Sequence, residues 1–224
     1  MFADMVGFTA WSSTRGPVDV FGLLESVYQA FDTIAQRRKV FKVETVGDCY
    51  VAVAGIPNPQ AEHAVIMVRF AEECLTKMHQ VTSKLAITMG HDTADLSIRV
   101  GLHSGMVTGG VLRGQKSRFQ LFGDSMNTAA RMESHGKSGQ IHISAETANA
   151  LMAKGKSHWV TPRDDQIDVK GKGFLKTFWV VNRKDREGSR AESSAGCSTD
   201  DENVDYGELE ADKKAPELGL SFEI

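Results

Sequence analysis

The sequence predicts an α+β fold in which two long helices alternate with four strands, followed by a shorter αβ extension. Three observations carry this reading. Two stretches place apolar residues at helical period, short β-rich runs surround them, and Gly47-Asp48 falls between two of those runs. The chain has 224 residues, 41% hydrophobic and 25% charged, which suits one sizeable domain with an appendage rather than two separate cores.

Taken in order, Met1 to Val6 reads as the end of a strand whose beginning lies upstream, and Gly7 to Gly16 as a loop. From Asp19 to Arg38, the residues Phe21, Leu24, Val27, Tyr28, Phe31 and Ile34 recur at helical spacing. Phe41–Val46 and Cys49–Ala54 are β-rich, and Gly47-Asp48 between them is a two-residue hairpin signal. Ile56-Pro57-Asn58-Pro59 breaks the chain. A second amphipathic helix then covers Gln60 to Leu85, with Ala64, Met67, Val68, Ala71, Leu75 and Met78 on one side. Leu96 to His103 alternates as a strand. The order β-α-β-β-α-β is that of a ferredoxin-like core. Beyond it come a Gly-rich stretch, a short strand at Phe119–Phe122, a helix near Ser125–Glu133, a strand at Ile141–Ser144 and a helix at Ala145–Met152. Two β-segments, Ile167–Val169 and Phe178–Val181, finish a body of residues 1–183. Residues 184–224, rich in Ser, Gly, Asp and Glu, read as an acidic tail without fixed structure.

The net charge of −3 averages two unlike parts. Residues 185–224 hold twelve acidic and four basic side chains, which leaves 22 basic against 17 acidic in the body. A mildly basic body accepts a polyphosphate ligand without implying a nucleic-acid partner. No apolar run approaches the roughly 20 residues that cross a bilayer, so no membrane contact is expected of this segment. Three cysteines without CxxC spacing exclude a disulfide framework and a zinc knuckle, and fit a reducing, cytoplasmic setting. Gly109 to Ser117 nearly spells a phosphate-binding P-loop, but Gln115 stands between the Gly and the Lys and misplaces the latter. The seven histidines are scattered, with no metal-ligating spacing.

The topology itself makes a chemical prediction. In a βαββαβ unit the first two strands run the same way, and the hairpin after the second turns at their shared end. Asp4 closes the first strand, Asp48 sits in that hairpin, and Arg99 opens the fourth strand at the same end. Two acids and an arginine thus converge across 95 residues of sequence. Taken singly, Asp48 is an ordinary turn residue. An Asp in an apolar strand end is costly without a partner, so the pair favours a divalent cation. Mg²⁺ and Mn²⁺ take a few carboxylates plus substrate phosphates, and two ions about 4 Å apart clamp a phosphoryl-type displacement.

At this point five ordered blocks resemble those of the class III nucleotidyl cyclases. Phe2-Ala3-Asp4-Met5-Val6-Gly7-Phe8-Thr9 resembles the first metal motif, and Lys42-Val43-Glu44-Thr45-Val46-Gly47-Asp48-Cys49-Tyr50 the second. Arg99 to Gly105, Leu121 to Glu133 and Val169 to Gly173 are similar to the remaining three. The resemblance implies a cyclase, palm-like fold for residues 1–183 and a phosphorus–oxygen lyase activity. It implies two Mg²⁺ or Mn²⁺ ions per site on Asp4 and Asp48, with Met5 beside Asp4 in the metal set. Val6, Gly7, Phe8 and Thr9 would offer N–H groups to the β- and γ-phosphates. Arg99 and Lys170 would hold the triphosphate, Asn127 the ribose, and Arg131 the α-phosphate in the transition state.

Members of the family divide these sets between subunits. The resemblance therefore implies a head-to-tail homodimer with composite sites and Gly109–Arg118 as an interface arm. For the base, guanylyl cyclases usually have Glu where adenylyl cyclases have Lys, and here Glu44 stands. Its carboxylate accepts from guanine and opposes the adenine N1 lone pair, a mismatch of about 1–3 kcal/mol. Gln120 departs from both patterns, since its amide can donate to guanine O6 or flip to accept from adenine. GTP is the expected substrate, with ATP or dual specificity as the alternative and a non-catalytic regulatory domain as the rival. The parent protein is expected to be membrane-associated with this domain on the cytosolic side.

Overall fold

The computed structural model describes residues 1–113, 117–165, 167–169, 173–183, 186 and 220–223. A seven-stranded sheet forms its centre. Strands β1 (Phe2–Val6), β2 (Phe41–Val46), β3 (Cys49–Val53) and β4 (Ser97–Leu102) lie in the order β2-β3-β1-β4, each antiparallel to its neighbours. This is the ferredoxin-like arrangement. Helices α2 (Pro17–Arg38) and α3 (His63–Met89) cover one face. A proline at the start of α2 supplies the backbone angle a first helical turn needs and gives up only an N–H with no partner there.

The core lies between these helices and the sheet. Leu23, Val27 and Phe31 of α2 and Phe70 and Met78 of α3 are almost wholly buried against Tyr50 and Ile98. The expected stripe on α2 needs one correction: Phe21 is 71% exposed, and Leu23 two positions on is fully buried. Alternation along β1 buries Ala3 and Met5 in this core and turns Asp4 to the other face.

The extension adds β7 (Ile141–Ser144) parallel to β4, then β11 (Thr177–Val180) and β8 (Val160–Pro162) antiparallel beyond it. Helix α4 (Asp124–Ser134) packs on the face opposite α2 and α3, while α5 (Ala145–Ala153) packs near α3. The seating of α4 is set by Gly101. A methyl group there would lie 2.0 Å from the Glu133 amide nitrogen and 2.6 Å from the Ala129 carbonyl oxygen.

The loop expected after β1 contains a short helix, α1 (Phe8–Ser12), and α3 runs to Met89 rather than Leu85. The Gly-rich stretch is a strand, β5 (Met106–Leu112), paired with β6 (Arg118–Phe122) in a hairpin outside the main sheet. Its glycines hid it, because they lower strand propensity. A small apolar cluster of Val107 and Leu121 with Val53 and Ile56 holds the hairpin against β3. A two-stranded ribbon of β9 (Ile167–Val169) and β10 (Gly173–Leu175) stands apart. Most of the tail lies outside the described residues, but Leu220–Glu223 form β12, antiparallel to β5. An unpaired strand edge offers backbone hydrogen bonds to any extended segment, whatever its local sequence. Among the described residues no helix is long and apolar enough to cross a membrane.

Candidate active site

Pairing brings the predicted acids together. In the sheet register, Asp4 of β1 stands opposite Cys49 of β3 on one side and Arg99 of β4 on the other. The β2–β3 turn places Asp48 at the same end, where Gly47 takes a left-handed φ of 61° and the Tyr28 hydroxyl donates to its carbonyl at 2.7 Å. An open cleft of about 440 Å³ is lined by residues 4–10, Asp48 and Arg99. Gly7, at a φ of 88°, turns the chain from β1 into α1 along its wall.

Charge in the cleft is unbalanced. Arg99 donates from Nη2 to Asp4 at 2.8 Å and from Nε to Glu133. Burial and the neighbouring Asp48 raise the Asp4 carboxyl above its usual range, against the opposing pull of Arg99. Burial also raises Glu133, again against Arg99, while Asp4 and Asp48 add to the rise. The Cys49 thiol is pushed up to about 12 by burial and then by Asp4 and Glu133. Asp4 and Glu133 thus share one guanidinium with Asp48 close by, and a further cation at Asp4 and Asp48 would relieve the excess negative charge.

The donors present fit a hard divalent ion. Two carboxylates leave most of its positions to water and phosphate oxygens, the habit of Mg²⁺. Among the described residues no three His, Cys, Asp or Glu side chains could hold an ion by themselves. Met5 is placed differently from the acids: its thioether is buried in the core, so only its main chain can face the cleft.

The base-reading candidates form a second group. Glu44 follows a bulge in β2 and pairs with Arg118 of β6, two residues before Gln120. Phe41 and Phe119 meet edge to face with centroids 5.4 Å apart, which fixes β6 beside β2. Arg118 was not singled out from sequence. The available signal was strand period, since positions 118 and 120 share a face.

Asn127 and Arg131 lie on α4, exposed and half-buried respectively, and neither lines the Asp4 cleft. Lys170 lies outside the described residues. One chain therefore gathers Asp4, Asp48, Arg99 and residues 6–9, and carries Asn127 and Arg131 elsewhere. Glu133 closes the fourth block but had no assigned role; only the fold shows it reaching Arg99.

Residues 1–182 match the profile of the family described as "Adenylate and Guanylate cyclase catalytic domain". This chain belongs to that family. The cyclase domain is 38% identical over 186 residues to the receptor-type guanylate cyclase gcy-28 of Caenorhabditis elegans, covering 83% of this chain and 14% of that protein. It is 39% identical over 184 residues to atrial natriuretic peptide receptor 2 of Homo sapiens, covering 82% and 17% respectively. Its fold superposes with a TM-score of 0.68 on the guanylate cyclase domain of RhGC from Catenaria anguillulae in complex with GTP. That match has 38% identity and covers 81% of this chain and 94% of the other. The chain thus spans less than a fifth of the length of either curated relative. It is a cyclase catalytic domain of the lyase class, closer to the guanylyl than to the adenylyl branch.

Proposed function

We propose that this domain converts GTP to cGMP and pyrophosphate at two composite sites of a head-to-tail homodimer. The observation that carries the choice of GTP is the Glu44 carboxylate held by Arg118 beside Gln120. The ion pair fixes the orientation of Glu44, so its other carboxylate oxygen can accept from guanine N1–H and the exocyclic amine. Gln120 donates to guanine O6.

Asp4 and Asp48 would hold two divalent ions, Mg²⁺ or Mn²⁺, which would supply Lewis acidity to the ribose 3′-hydroxyl and the triphosphate. Residues 6–9 offer backbone N–H groups to the β- and γ-phosphates. Arg99 and Lys170 neutralise the triphosphate, and Asn127 orients the ribose. As the 3′-oxygen bonds to the α-phosphorus, its proton passes to solvent water and the bond to pyrophosphate breaks, the pyrophosphate leaving with the bonding pair. Arg131 opposes the charge that gathers on the α-phosphate. The separation of Asn127 and Arg131 from the Asp4 cleft in one chain supports the dimer, because each set then completes a partner's half-site. In this reading the parent protein is membrane-associated, with this domain on the cytosolic side.

Product analysis with GTP or ATP and Mn²⁺ tests the reading. GTP is expected to give cGMP, and Glu44→Lys to move preference toward ATP by at least tenfold, about 1.4 kcal/mol. Exclusive cAMP formation by the unaltered domain would overturn the substrate assignment. The reversible amide of Gln120 favours a second reading, dual specificity, in which both cyclic products form.

A further inference from the structure

We propose that Glu133 is a positioning residue that holds the Arg99 guanidinium as an exchangeable counter-ion for Asp4, ready to turn to a phosphate when Asp4 takes a divalent cation. The inference rests on the cyclase reading above. Its geometry comes from a single guanidinium bridging two elements. Arg99 of β4 gives Nε to Glu133 of α4 and Nη2 to Asp4 of β1, while Nη1 makes no hydrogen bond among the described residues. Arg99 also lines the cleft, so its unused donors stand where a triphosphate would lie.

The two carboxylates are not equivalent. The Glu133 side chain is 11% exposed and the Asp4 side chain 21%, and only Asp4 lines the cleft. Separating a more deeply buried carboxylate from its cation costs more than separating one that can take another cation from solvent. The Asp4 end is therefore the one that exchanges. Glu133 cannot follow Arg99 outward, because its backbone is confined on both sides. Its amide nitrogen lies only 2.0 Å from where a Gly101 methyl would be, and its carbonyl accepts from the Gly136 amide at 2.7 Å. Arg99 thus pivots about Nε, keeps Glu133, and swings Nη2 from Asp4 toward the cleft. A lysine could not do this, since a point charge lacks the two-pronged planar edge that bridges two acceptors.

Calorimetric titration of Mn²⁺ into the nucleotide-free domain tests the proposal without turnover. Arg99→Gln is expected to tighten Mn²⁺ by about three- to tenfold, because Asp4 loses its resident competitor. Glu133→Gln is expected to weaken it by a similar factor, as Arg99 settles wholly on Asp4. In the double variant the Glu133→Gln effect is expected to vanish, because Glu133 acts through Arg99. An equal Glu133→Gln effect in both backgrounds, or weaker Mn²⁺ binding in Arg99→Gln, would overturn the proposal. If Glu133→Gln fails to fold by circular dichroism, Glu133→Asp replaces it, and an equal effect on Mn²⁺ binding with and without Arg99 again overturns the proposal. Steady-state kinetics add a second readout: Glu133→Gln should raise KM for Mn²⁺-GTP more than it lowers kcat. Absence of cyclic nucleotide from the unaltered domain would instead count against the cyclase reading, leaving the Mn²⁺ result to stand separately.

Discussion

Asp48 occupies a hairpin turn that almost any small polar residue could fill, so its chemistry and its structural role separate cleanly. Replacing it with alanine should leave melting within about 0.5 kcal/mol of the parent, since surface changes away from core and caps cost little. Cyclase turnover should fall by at least a hundredfold; a variant retaining a tenth of the parental rate would contradict its assignment. His142 behaves in the opposite way, structural rather than catalytic. Its Nδ1–H donates to the Met132 carbonyl at 2.7 Å, its Nε2 is buried without a partner among the described residues, and its ring lies 4.7 Å from that of Trp179. Burial lowers its pKa from 6.5 to about 4, so the folded state holds the ring neutral. Above pH 6.5 the group costs nothing. As pH falls below 6.5 the unfolded chain gains the proton first, and stability drops by about 2 kcal/mol by pH 5. Urea unfolding at pH 7 and 5 should show this slope, and His142→Gln should flatten it.

At the scale of elements, the contact between β4 and α4 is the sharpest constraint. Gly101→Ala forces a methyl group into the backbone of Ala129 and Glu133, so α4 must retreat or the sheet must bend. A loss of about 1–3 kcal/mol is expected from such overpacking. A sharp drop in cyclase rate is expected with it, read by thermal melting and turnover on one preparation. Unchanged melting would show that α4 is not seated as described. The helices and strands of the βαββαβ unit were legible because Leu24, Val27, Phe31 and their counterparts in α3 repeat at the period of an element with one buried face. The β5–β6 hairpin was half missed, since Gly109 and Gly110 carry no apolar alternation and the pairing is set by the neighbour strand. Asp4, Asp48 and Arg99 could be brought together from strand direction alone. Glu133 and Arg118 could not, because their partners are supplied by a helix and a hairpin whose docking depends on contacts distant in sequence.

At the scale of the molecule, the proposed head-to-tail dimer, which sets the Asp4 cleft of one subunit against α4 of the other, makes a quantitative demand on assembly. Asp48→Ala and Arg131→Ala should each be inactive alone. Mixed in equal amounts, they should recover about a quarter of the parental rate, because random pairing puts half the dimers in the mixed form, each with one intact site. No recovery on mixing, with dimers confirmed by light scattering, would place both residue sets in one subunit's site. The specific activity of the unaltered domain should rise with concentration and plateau once dimerisation is complete.

Gly101 gives this arrangement a mechanical character. At Gly101 no side chain separates α4 from β4, so the strand meets the helix backbone directly and serves there as its fulcrum. In the proposed dimer, a tilt of the sheet that repositions Asp4 in one half-site would carry Asn127 and Arg131 with it toward the other. A domain built this way would convey an upstream movement to both reaction centres in a single stroke.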